Sequence, residues 1–296
     1  MDRITVFTAT YNRENLLPRL YASLLEQTDK DFEWLIIDDA SSDNTVQLIK
    51  EWIQENKIKI KIVIEEVNGG LQRAINHAYS IVDDGYMLKI DSDDYLLPNA
   101  IAFFRNKIRA INDEKCVGIG ALYKKNDMSL MHNLSKDNMP QNNVSLRFHQ
   151  RSDYGYGCDC IEIYKVDIRK KYPIPIWPTE KIGPERVAFS NMDEDGYFIQ
   201  WFSEPVAVVN YQESGLTNYE KIHWDKDPMS KAITYNYYQS YHFYDIKTRL
   251  YYSTEFVFWS LKGHKVSFLR KTRKPHYLIY GLPIGICKYI VRCLRY

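Results

Sequence analysis

The sequence predicts an α/β fold in which a mostly parallel, Rossmann-like sheet is flanked by helices and followed by a helical C-terminal extension. Strand-like and helix-like segments alternate through the first 123 residues, and this order indicates right-handed βαβ units. Polar clusters follow the strands instead of interrupting them. Beyond about residue 223 the chain is rich in Tyr and is predicted to be helical.

Short runs rich in β-branched and aromatic residues predict five strands, at 4–9, 34–37, 58–64, 87–90 and 117–122. Helices are predicted between them, at 15–27, 45–55, 71–82 and from 98 to about 111. The first helix carries leucines at helical spacing. Ser41, Ser42 and Asp43 supply N-cap chemistry for the second. Residues 124–150 are polar and poorly periodic, which predicts a loop, and mixed elements follow from Cys160 to about Tyr211.

Four polar clusters fall at the carboxyl ends of successive predicted strands: Thr10-Tyr11-Asn12-Arg13, Asp38-Asp39, Asn68-Gly69-Gly70 and Asp91-Ser92-Asp93-Asp94. In open parallel sheets, ligands bind beyond the carboxyl ends of the strands. The sequence therefore predicts a ligand site at this rim.

The acidic cluster at the fourth strand suggests a divalent metal. The carboxylates of Asp91, Asp93 and Asp94 repel one another unless a cation neutralises them, and hard oxygen ligands suit Mg²⁺ or Mn²⁺ bound jointly by protein and diphosphate. The alternative is a helix cap and a solvated turn before Pro98.

Nucleotide binding by a glycine-rich loop is not expected. There is no G-x-G-x-x-G after the first strand, which argues against a dinucleotide-binding oxidoreductase, and no G-x-x-x-x-G-K-[ST], which argues against P-loop ATP chemistry. Instead, Asp39 has the chemistry to accept a hydrogen bond from a base N–H, and Tyr11 to stack on the base or donate its hydroxyl. The alternative for Asp39 is a turn residue before Ser41.

Residues 4–98 resemble the family 2 glycosyltransferases of the GT-A fold. The resemblance is carried by the four clusters above, by Gln27-Thr28 before Phe32-Glu33, by Ala40-Ser41-Ser42-Asp43, by Ala74 and Asn76, and by Pro98. It implies that Thr10, Tyr11, Arg13 and Asp39 line the nucleoside pocket of a UDP-sugar donor. It also implies that Asp93 is the main metal ligand, with Asp91 and Asp94 beside it, and that Asp91 and Ser92 contact the nucleotide. The family often has Lys where this chain has Gly70, so the diphosphate contact is assigned to Arg73.

Members of this family typically invert the anomeric centre, which requires a general base to take the proton of the acceptor hydroxyl. By resemblance, Glu185 in Gly183-Pro184-Glu185 is the predicted base, with Asp193 and Asp195 in reserve. The alternative for Glu185 is structural, since Pro at N1 and Glu in the first turn favour a helix start. Trp177, Trp201 and Trp224 suit either sugar stacking or core packing.

The resemblance divides the chain into three parts. Residues 1–123 are expected to bind the nucleotide-sugar, 124–225 the saccharide or lipid-linked acceptor, and 226–296 to form a basic, aromatic-rich helical extension. The two alternatives are a sugar nucleotidyltransferase and a catalytically inactive nucleotide- or sugar-binding module. Sugar nucleotidyltransferases commonly carry a Gly-rich, basic loop after strand one, which this chain lacks. An inactive module would need loss of the acidic cluster or the base.

The composition predicts a cytoplasmic protein that contacts a membrane at its periphery. Five Cys form no C-x-x-C pair, and no secretion signal is visible at the N-terminus. Residues 256–296 contain nine Lys or Arg and no Asp or Glu. This charge suits the anionic inner face of a membrane, whereas nucleic acid is not expected because the rest of the chain is acidic. The alternative is a tail that packs on the acidic body.

Overall fold

The computed structural model describes residues 2–129, 140–157, 159–210 and 226–293. The chain forms two compact units. The first comprises Met1–Tyr172 and Asp195–Gly215, and the second Pro173–Glu194 and Leu216–Tyr296.

The first unit is built on a nine-stranded sheet, ordered β3-β2-β1-β4-β8-β6-β9-β5, with β7 paired to β9. The strands are β1 Ile4–Thr10, β2 Phe32–Asp38, β3 Lys59–Ile64, β4 Tyr86–Lys89, β5 Tyr95–Leu96, β6 Cys116–Lys125, β7 Val144–Leu146, β8 Cys160–Lys165 and β9 Phe198–Val209. Strands β1 to β4 are mutually parallel, β8 is antiparallel to both β4 and β6, and β9 is parallel to β6. Strands β1 to β4, β6 and β9 therefore run in one direction.

Five helices belong to this unit: α1 Leu17–Leu25, α2 Thr45–Glu55, α3 Leu71–Ile81, α4 Ala100–Arg109 and the short α5 Val166–Arg169. A 3-10 helix spans Phe148–Tyr154. Helix α1 buries Leu17, Leu20 and Leu24 completely, as their helical spacing predicts. Tyr21, also from α1, stacks on Trp52 of α2 with ring centroids 4.3 Å apart. The apolar periodicity thus places these helices on the sheet.

The predicted α/β fold with a mostly parallel sheet is confirmed. The expected loop at 124–150 needs correction, because β6 continues to Lys125 and Val144–Leu146 forms β7. Strand β7 pairs antiparallel with β9, Val144 lying opposite Trp201. A strand of three residues carries too little periodicity to be seen in the sequence, since its partner lies more than fifty residues away.

Trp201 belongs to the core. Its side chain is fully buried on β9, its ring lies 4.7 Å from that of Tyr156, and a Cβ at Gly120 would overlap its indole. Of the two roles considered for Trp201, the structure shows packing. Trp177, in the second unit, packs edge-on against Phe268, and Trp224 lies outside the described residues.

The second unit is helical, as predicted for the C-terminal region. Its helices are α6 Glu185–Glu194, α7 Pro228–Tyr238, α8 Ile246–Lys262 and α9 Leu278–Cys293, with 3-10 turns at Val266–Lys271 and Pro275–Tyr277. Its core includes Met229, Phe256, Phe258, Trp259 and Phe268. In the part of the chain that the structure describes, no helix is long and apolar enough to cross a membrane.

Helix α7 is capped from a distant part of the sequence. The buried Glu180 carboxylate accepts hydrogen bonds from the N–H groups of Met229, at 2.7 Å, and Ser230, at 2.6 Å. Burial raises the pKa of Glu180, and these two donors act in the opposite direction. A carboxylate at a helix N-terminus satisfies free N–H groups and interacts favourably with the helix dipole.

Candidate functional site

The loops that follow β1 and β2 are joined by reciprocal hydrogen bonds. Three successive N–H groups after Tyr11 donate to side chains of the second loop: Asn12 to Ser41 at 2.8 Å, Arg13 to Thr45 at 2.8 Å and Glu14 to Asp43 at 3.2 Å. Two N–H groups of the second loop donate back: Ser42 to Asn12 at 2.8 Å and Asn44 to Glu14 at 2.9 Å. Backbone N–H groups that no strand or helix pairs are thereby satisfied, and the two loops are held together as one rigid part of the rim.

This network corrects the expected cap of α2. Ser41 donates from its N–H and its hydroxyl to the two oxygens of buried Asp38, at 2.9 and 2.5 Å. The N-cap residue is Asn44, whose side chain makes no cap hydrogen bond. Asp43 instead accepts from the Thr45 N–H at 3.0 Å. Ser41 and Ser42 also link the two loops, since Ser41 accepts the Asn12 N–H and the Ser42 N–H donates to Asn12.

Tyr11 stands out from this joint. Its side chain is 46% exposed, while its neighbour Thr10 is 3% exposed. Among the described residues the Thr10 hydroxyl has no hydrogen-bond partner. An exposed aromatic ring on a backbone fixed from both sides presents a preorganised surface on which a planar group can stack.

Asp39 anchors the loop between β3 and α3. Its two carboxylate oxygens accept the N–H groups of Gly69, at 2.7 Å, and Gly70, at 2.8 Å, and its own N–H donates to Thr10 at 2.8 Å. Gly70 has φ +91° and ψ 160°, a conformation open essentially only to glycine. This explains in backbone terms why position 70 carries glycine. Arg73 donates to the Gly69 carbonyl at 2.6 Å, so its guanidinium also borders this loop.

The acidic cluster lies between β4 and β5. Asp91 is 2.8 Å from the Lys89 ammonium, and Ser92 is buried. Asp94 is 5% exposed and accepts the Asn210 N–H at 2.9 Å. Burial and the nearby Asp91 raise the pKa of Asp94 to about 7. The pKa of Asp93 is raised by the same two causes, in the same order, and is opposed by Arg13 and Lys89.

The structure brings together most of the predicted donor-site residues. Thr10, Asp39 and the Gly69-Gly70 loop are joined by hydrogen bonds. Arg13 interacts electrostatically with Asp93, which connects the first rim cluster to the acidic one. All of these residues belong to the first unit. The rim carries an exposed ring, an anchored glycine loop and a cluster of three acidic side chains.

The predicted base belongs to the second unit. Glu185 is the first residue of α6 and is partly exposed. The structural alternative for it, a first-turn Glu after Pro184, describes its position correctly, and its catalytic role stays a prediction. Of the reserve candidates, Asp193 is 2% exposed and Asp195 accepts the Tyr172 hydroxyl at 2.5 Å.

Comparison with known families decides the assignment. The sequence profile of Glycosyl transferase family 2 matches residues 5–172, more than half of the 296 residues. The chain belongs to Glycosyl transferase family 2. The family and enzyme class predicted from the rim motifs are thereby confirmed.

Related family 2 sequences match over a limited part of their length. The chain is 36% identical to a chondroitin synthase of Pasteurella multocida over 98 residues, which are 33% of this chain and 10% of that protein. It is 34% identical to the poly(ribitol-phosphate) beta-N-acetylglucosaminyltransferase TarS of Staphylococcus aureus over 110 residues, 35% of this chain and 19% of TarS. The matched stretches are thus small parts of these longer relatives.

Solved structures of glycosyltransferases share the fold. Residues 1–349 of S. aureus TarS, in complex with UDP-GlcNAc, superpose with a TM-score of 0.64 at 17% identity, covering 95% of this chain and 79% of that one. The mannosyltransferase PcManGT of Pyrobaculum calidifontis, in complex with GDP-Man and Mn²⁺, superposes with a TM-score of 0.51 at 13% identity, covering 97% and 81%. At these identities the likeness concerns the architecture.

The carboxylates of the acidic cluster suit a divalent cation that the protein and a bound phosphate ligand would hold together. Among the described residues, no group of three or more His, Cys, Asp or Glu converges to hold a metal. Burial and the nearby Asp91 raise the pKa values of Asp93 and Asp94, and a cation beside them would favour their charged forms. Mg²⁺ is commonly held by one or two carboxylates together with substrate phosphates and water. The side chains present suit that arrangement.

The sequence did not predict the role of several residues that support the rim. Glu14, Thr45 and Asn210 hold the loops and the acidic cluster in place. For the loops, the sequence gives only a weak indication of these contacts, since residues such as Asp43 and Thr45 are common in turns and caps in general. For Asn210 it gives none, because its N–H meets Asp94 from 116 residues away.

Proposed function

We propose that this chain is an inverting, metal-dependent glycosyltransferase that moves a sugar from a UDP-sugar to a saccharide or lipid-linked acceptor in the synthesis of a cell-surface polysaccharide. The observation that carries the proposal is the rim itself. Tyr11, Asp39, Arg73 and the acidic cluster belong to one unit, at the carboxyl ends of parallel strands, where ligands of such sheets bind.

The nucleoside would be bound at the first two loops. The exposed ring of Tyr11 offers a stacking surface, the buried Thr10 hydroxyl a free hydrogen-bonding group, and Arg13 a cation beside Asp93. Asp39 already accepts two N–H groups, and each carboxylate oxygen has a second lone pair for a base N–H. UDP as the nucleotide is supported by the fold shared with TarS, whose structures contain UDP-GlcNAc and UDP.

Mn²⁺ or Mg²⁺ would be held by Asp93 as the main ligand, with Asp91, Ser92 and Asp94 beside it. When bound, the cation would neutralise charge on the departing diphosphate. Arg73 would add a guanidinium at the anchored glycine loop. The fold shared with PcManGT, described with GDP-Man and Mn²⁺, supports a divalent cation.

Glu185 would act as the general base. In an inverting transfer, the acceptor hydroxyl oxygen forms a bond to the anomeric carbon while the bond from that carbon to the diphosphate oxygen breaks. The hydroxyl proton goes to the Glu185 carboxylate. Its partial exposure at the start of α6 leaves the carboxylate accessible to an acceptor.

The proposal includes a division of labour and a location. We assign nucleotide-sugar binding to residues 1–123, acceptor binding to 124–225 and an extension to 226–296. The enzyme would work in the cytoplasm, at the inner face of the cell membrane, where lipid-linked acceptors are available. The net positive charge of residues 256–296 supports contact with anionic lipid.

The experiment is a donor screen with product analysis. Purified protein is incubated with a panel of UDP-sugars and Mn²⁺, and released UDP is quantified with and without saccharide acceptors. We expect release from one UDP-sugar, a fall of at least about a hundredfold in Asp93→Asn, and no change in Asp83→Asn, an exposed carboxylate on the same unit. Retention of full activity by Asp93→Asn would overturn the metal assignment, and a product of retained configuration would overturn inversion.

A further inference from the structure

Helix α9 lies very close to α8 through two glycines. A Cβ at Gly281 would approach the Ser253 carbonyl oxygen to 2.9 Å, and a Cβ at Gly285 would approach Val257 to 2.7 Å. Lys288, on the same side, forms an ion pair with Glu255, which is buried in α8. The face of α9 that packs within the second unit therefore carries the two glycines, and Leu278 and Tyr289 pack against the core of that unit as well.

The opposite side of α9, here called the outward face, is apolar and exposed. Its large side chains are between 40% and 73% exposed: Ile279, Tyr280, Ile284, Ile286, Ile290 and Val291. At 100° per residue these six positions fall within an arc of roughly 160°. No charged residue lies within that arc, since Lys288 and Arg292 project from the packed side of the helix. A contiguous apolar face of this size marks an interaction surface.

Basic side chains precede the outward face in the chain. Arg270, Lys271 and Arg273 are exposed in the segment that leads into α9. Arg273 is fixed in place, because its guanidinium lies 4.4 Å from the Tyr237 ring centre and its Nε donates to Ser240 at 3.2 Å. Residues 256–296 contain no Asp or Glu, so nothing acidic in this stretch offsets that charge.

We propose that the outward face of α9 lies in the headgroup–acyl boundary of an anionic lipid membrane, with the basic segment on the headgroups. A lipid surface offers apolar chains and negative charge side by side, which matches the apolar face and the basic segment that precedes it in the chain. A second copy of the chain would match the apolar face but would bring two basic segments together. Because the glycine face remains on α8, the helix lies along the surface.

This inference rests on the membrane contact in the proposed function and is independent of the donor site. It names the surface that makes the contact, which the sequence had suggested only as a basic segment. Failure of the two proposals is separable, because UDP binding and lipid binding are measured on the same protein preparations.

The test is co-sedimentation of the full chain with vesicles of phosphatidylcholine alone or mixed with phosphatidylglycerol. The variant Ile279→Ser/Ile284→Ser/Ile290→Ser removes apolar side chains from the outward face. The matched control, Ile53→Ser/Ile64→Ser/Ile246→Ser, removes three exposed isoleucines elsewhere. We expect wild type and control to bind the anionic vesicles, and the α9 variant to bind at least about tenfold more weakly. Arg270→Gln should weaken binding about fivefold.

Circular dichroism and UDP titration show whether the α9 variant is folded and has kept its donor site. Equal sedimentation of the variant and wild type, or no binding of wild type to anionic vesicles, would overturn the inference. It would also be overturned if analytical ultracentrifugation found a wild-type dimer that the α9 variant dissociates while vesicle binding stays unchanged, since the face would then bind a second copy.

Discussion

The rim of the first unit and the C-terminal helices of the second use glycine for opposite purposes. At the rim, Gly70 takes a backbone conformation that other residues avoid, and its N–H is held by Asp39. In α9, Gly281 and Gly285 are helical and are needed because α8 lies where a side chain would be. The conformation of the rim thus depends on polar groups and backbone geometry, whereas the packing of α8 against α9 depends on the absence of side chains at the contact.

The largest effect is expected from removing the anchor of the rim. Asp39→Ala leaves the half-buried N–H groups of Gly69 and Gly70 without their acceptor. We expect unfolding free energy to fall by about 3 kcal/mol and UDP binding to be lost. Chemical denaturation and calorimetry measure both. Asp39→Asn, which keeps one acceptor oxygen, should lie between; wild-type binding by Asp39→Ala would show that the anchor is not needed.

Filling the space between α8 and α9 should have a smaller effect that is confined to the second unit. Gly285→Leu places a side chain against Val257 and the Thr254 carbonyl, and overpacking of this kind costs about 1–3 kcal/mol. Hydrogen exchange should show loss of protection in α9, with the first unit unaltered. The control is Ile284→Leu, one position earlier on the exposed side. Unchanged exchange in Gly285→Leu would mean that the close approach is not required.

The acidic cluster gives the rim a pH dependence. Burial and the nearby Asp91 raise the pKa of Asp94 to about 7 in the folded chain, from an ordinary value of 3.8. Between about pH 4 and 7 the folded state therefore binds more protons than the unfolded state, and stability falls as pH rises through this window. We expect the denaturant concentration at the unfolding midpoint to vary less with pH in Asp94→Asn than in wild type. Mn²⁺ should reduce the slope of the wild-type profile. A wild-type slope of opposite sign would contradict the burial of an uncompensated charge.

The smallest effect is expected at the exposed ring. Tyr11→Ala removes a stacking surface without opening the core, since Tyr11 is 46% exposed. UDP affinity should fall about fivefold, equivalent to about 1 kcal/mol, with the denaturation midpoint unchanged. Tyr11→Phe should bind nearly as wild type if stacking is the contribution. A full loss in Tyr11→Phe would point to the hydroxyl instead.

Local signals in the sequence were enough for the parallel half of the sheet and its helices. Helix α2 has the predicted bounds Thr45–Glu55, because apolar periodicity and turn residues are encoded within a few positions. Strands β5 and β7 were not predicted, since both are short and depend on β9. The same applies to Glu180, whose role as a cap for α7 depends on residues 49 and 50 positions away.

For the candidate site, too, local patterns could be predicted from the sequence and contacts between distant residues could not. The rim clusters were visible because each follows a strand, and strand ends meet in space. The partners of these side chains were not visible: Asp39 accepts the N–H groups of Gly69 and Gly70 across 30 and 31 positions, while its contact with a base stays a prediction. Ser41 was expected to cap α2 and bonds to Asp38 and Asn12.

The central claim is that the rim binds a nucleotide diphosphate through a cation at Asp93. The most direct measurement is calorimetric titration of UDP, GDP and dTDP, with and without Mn²⁺, into wild type, Asp93→Asn and the control Asp83→Asn. We predict that UDP binds wild type and Asp83→Asn in the presence of Mn²⁺ and that binding is lost without the metal or in Asp93→Asn. UDP binding that is indifferent to both Mn²⁺ and Asp93, or no nucleotide binding at all, would contradict it.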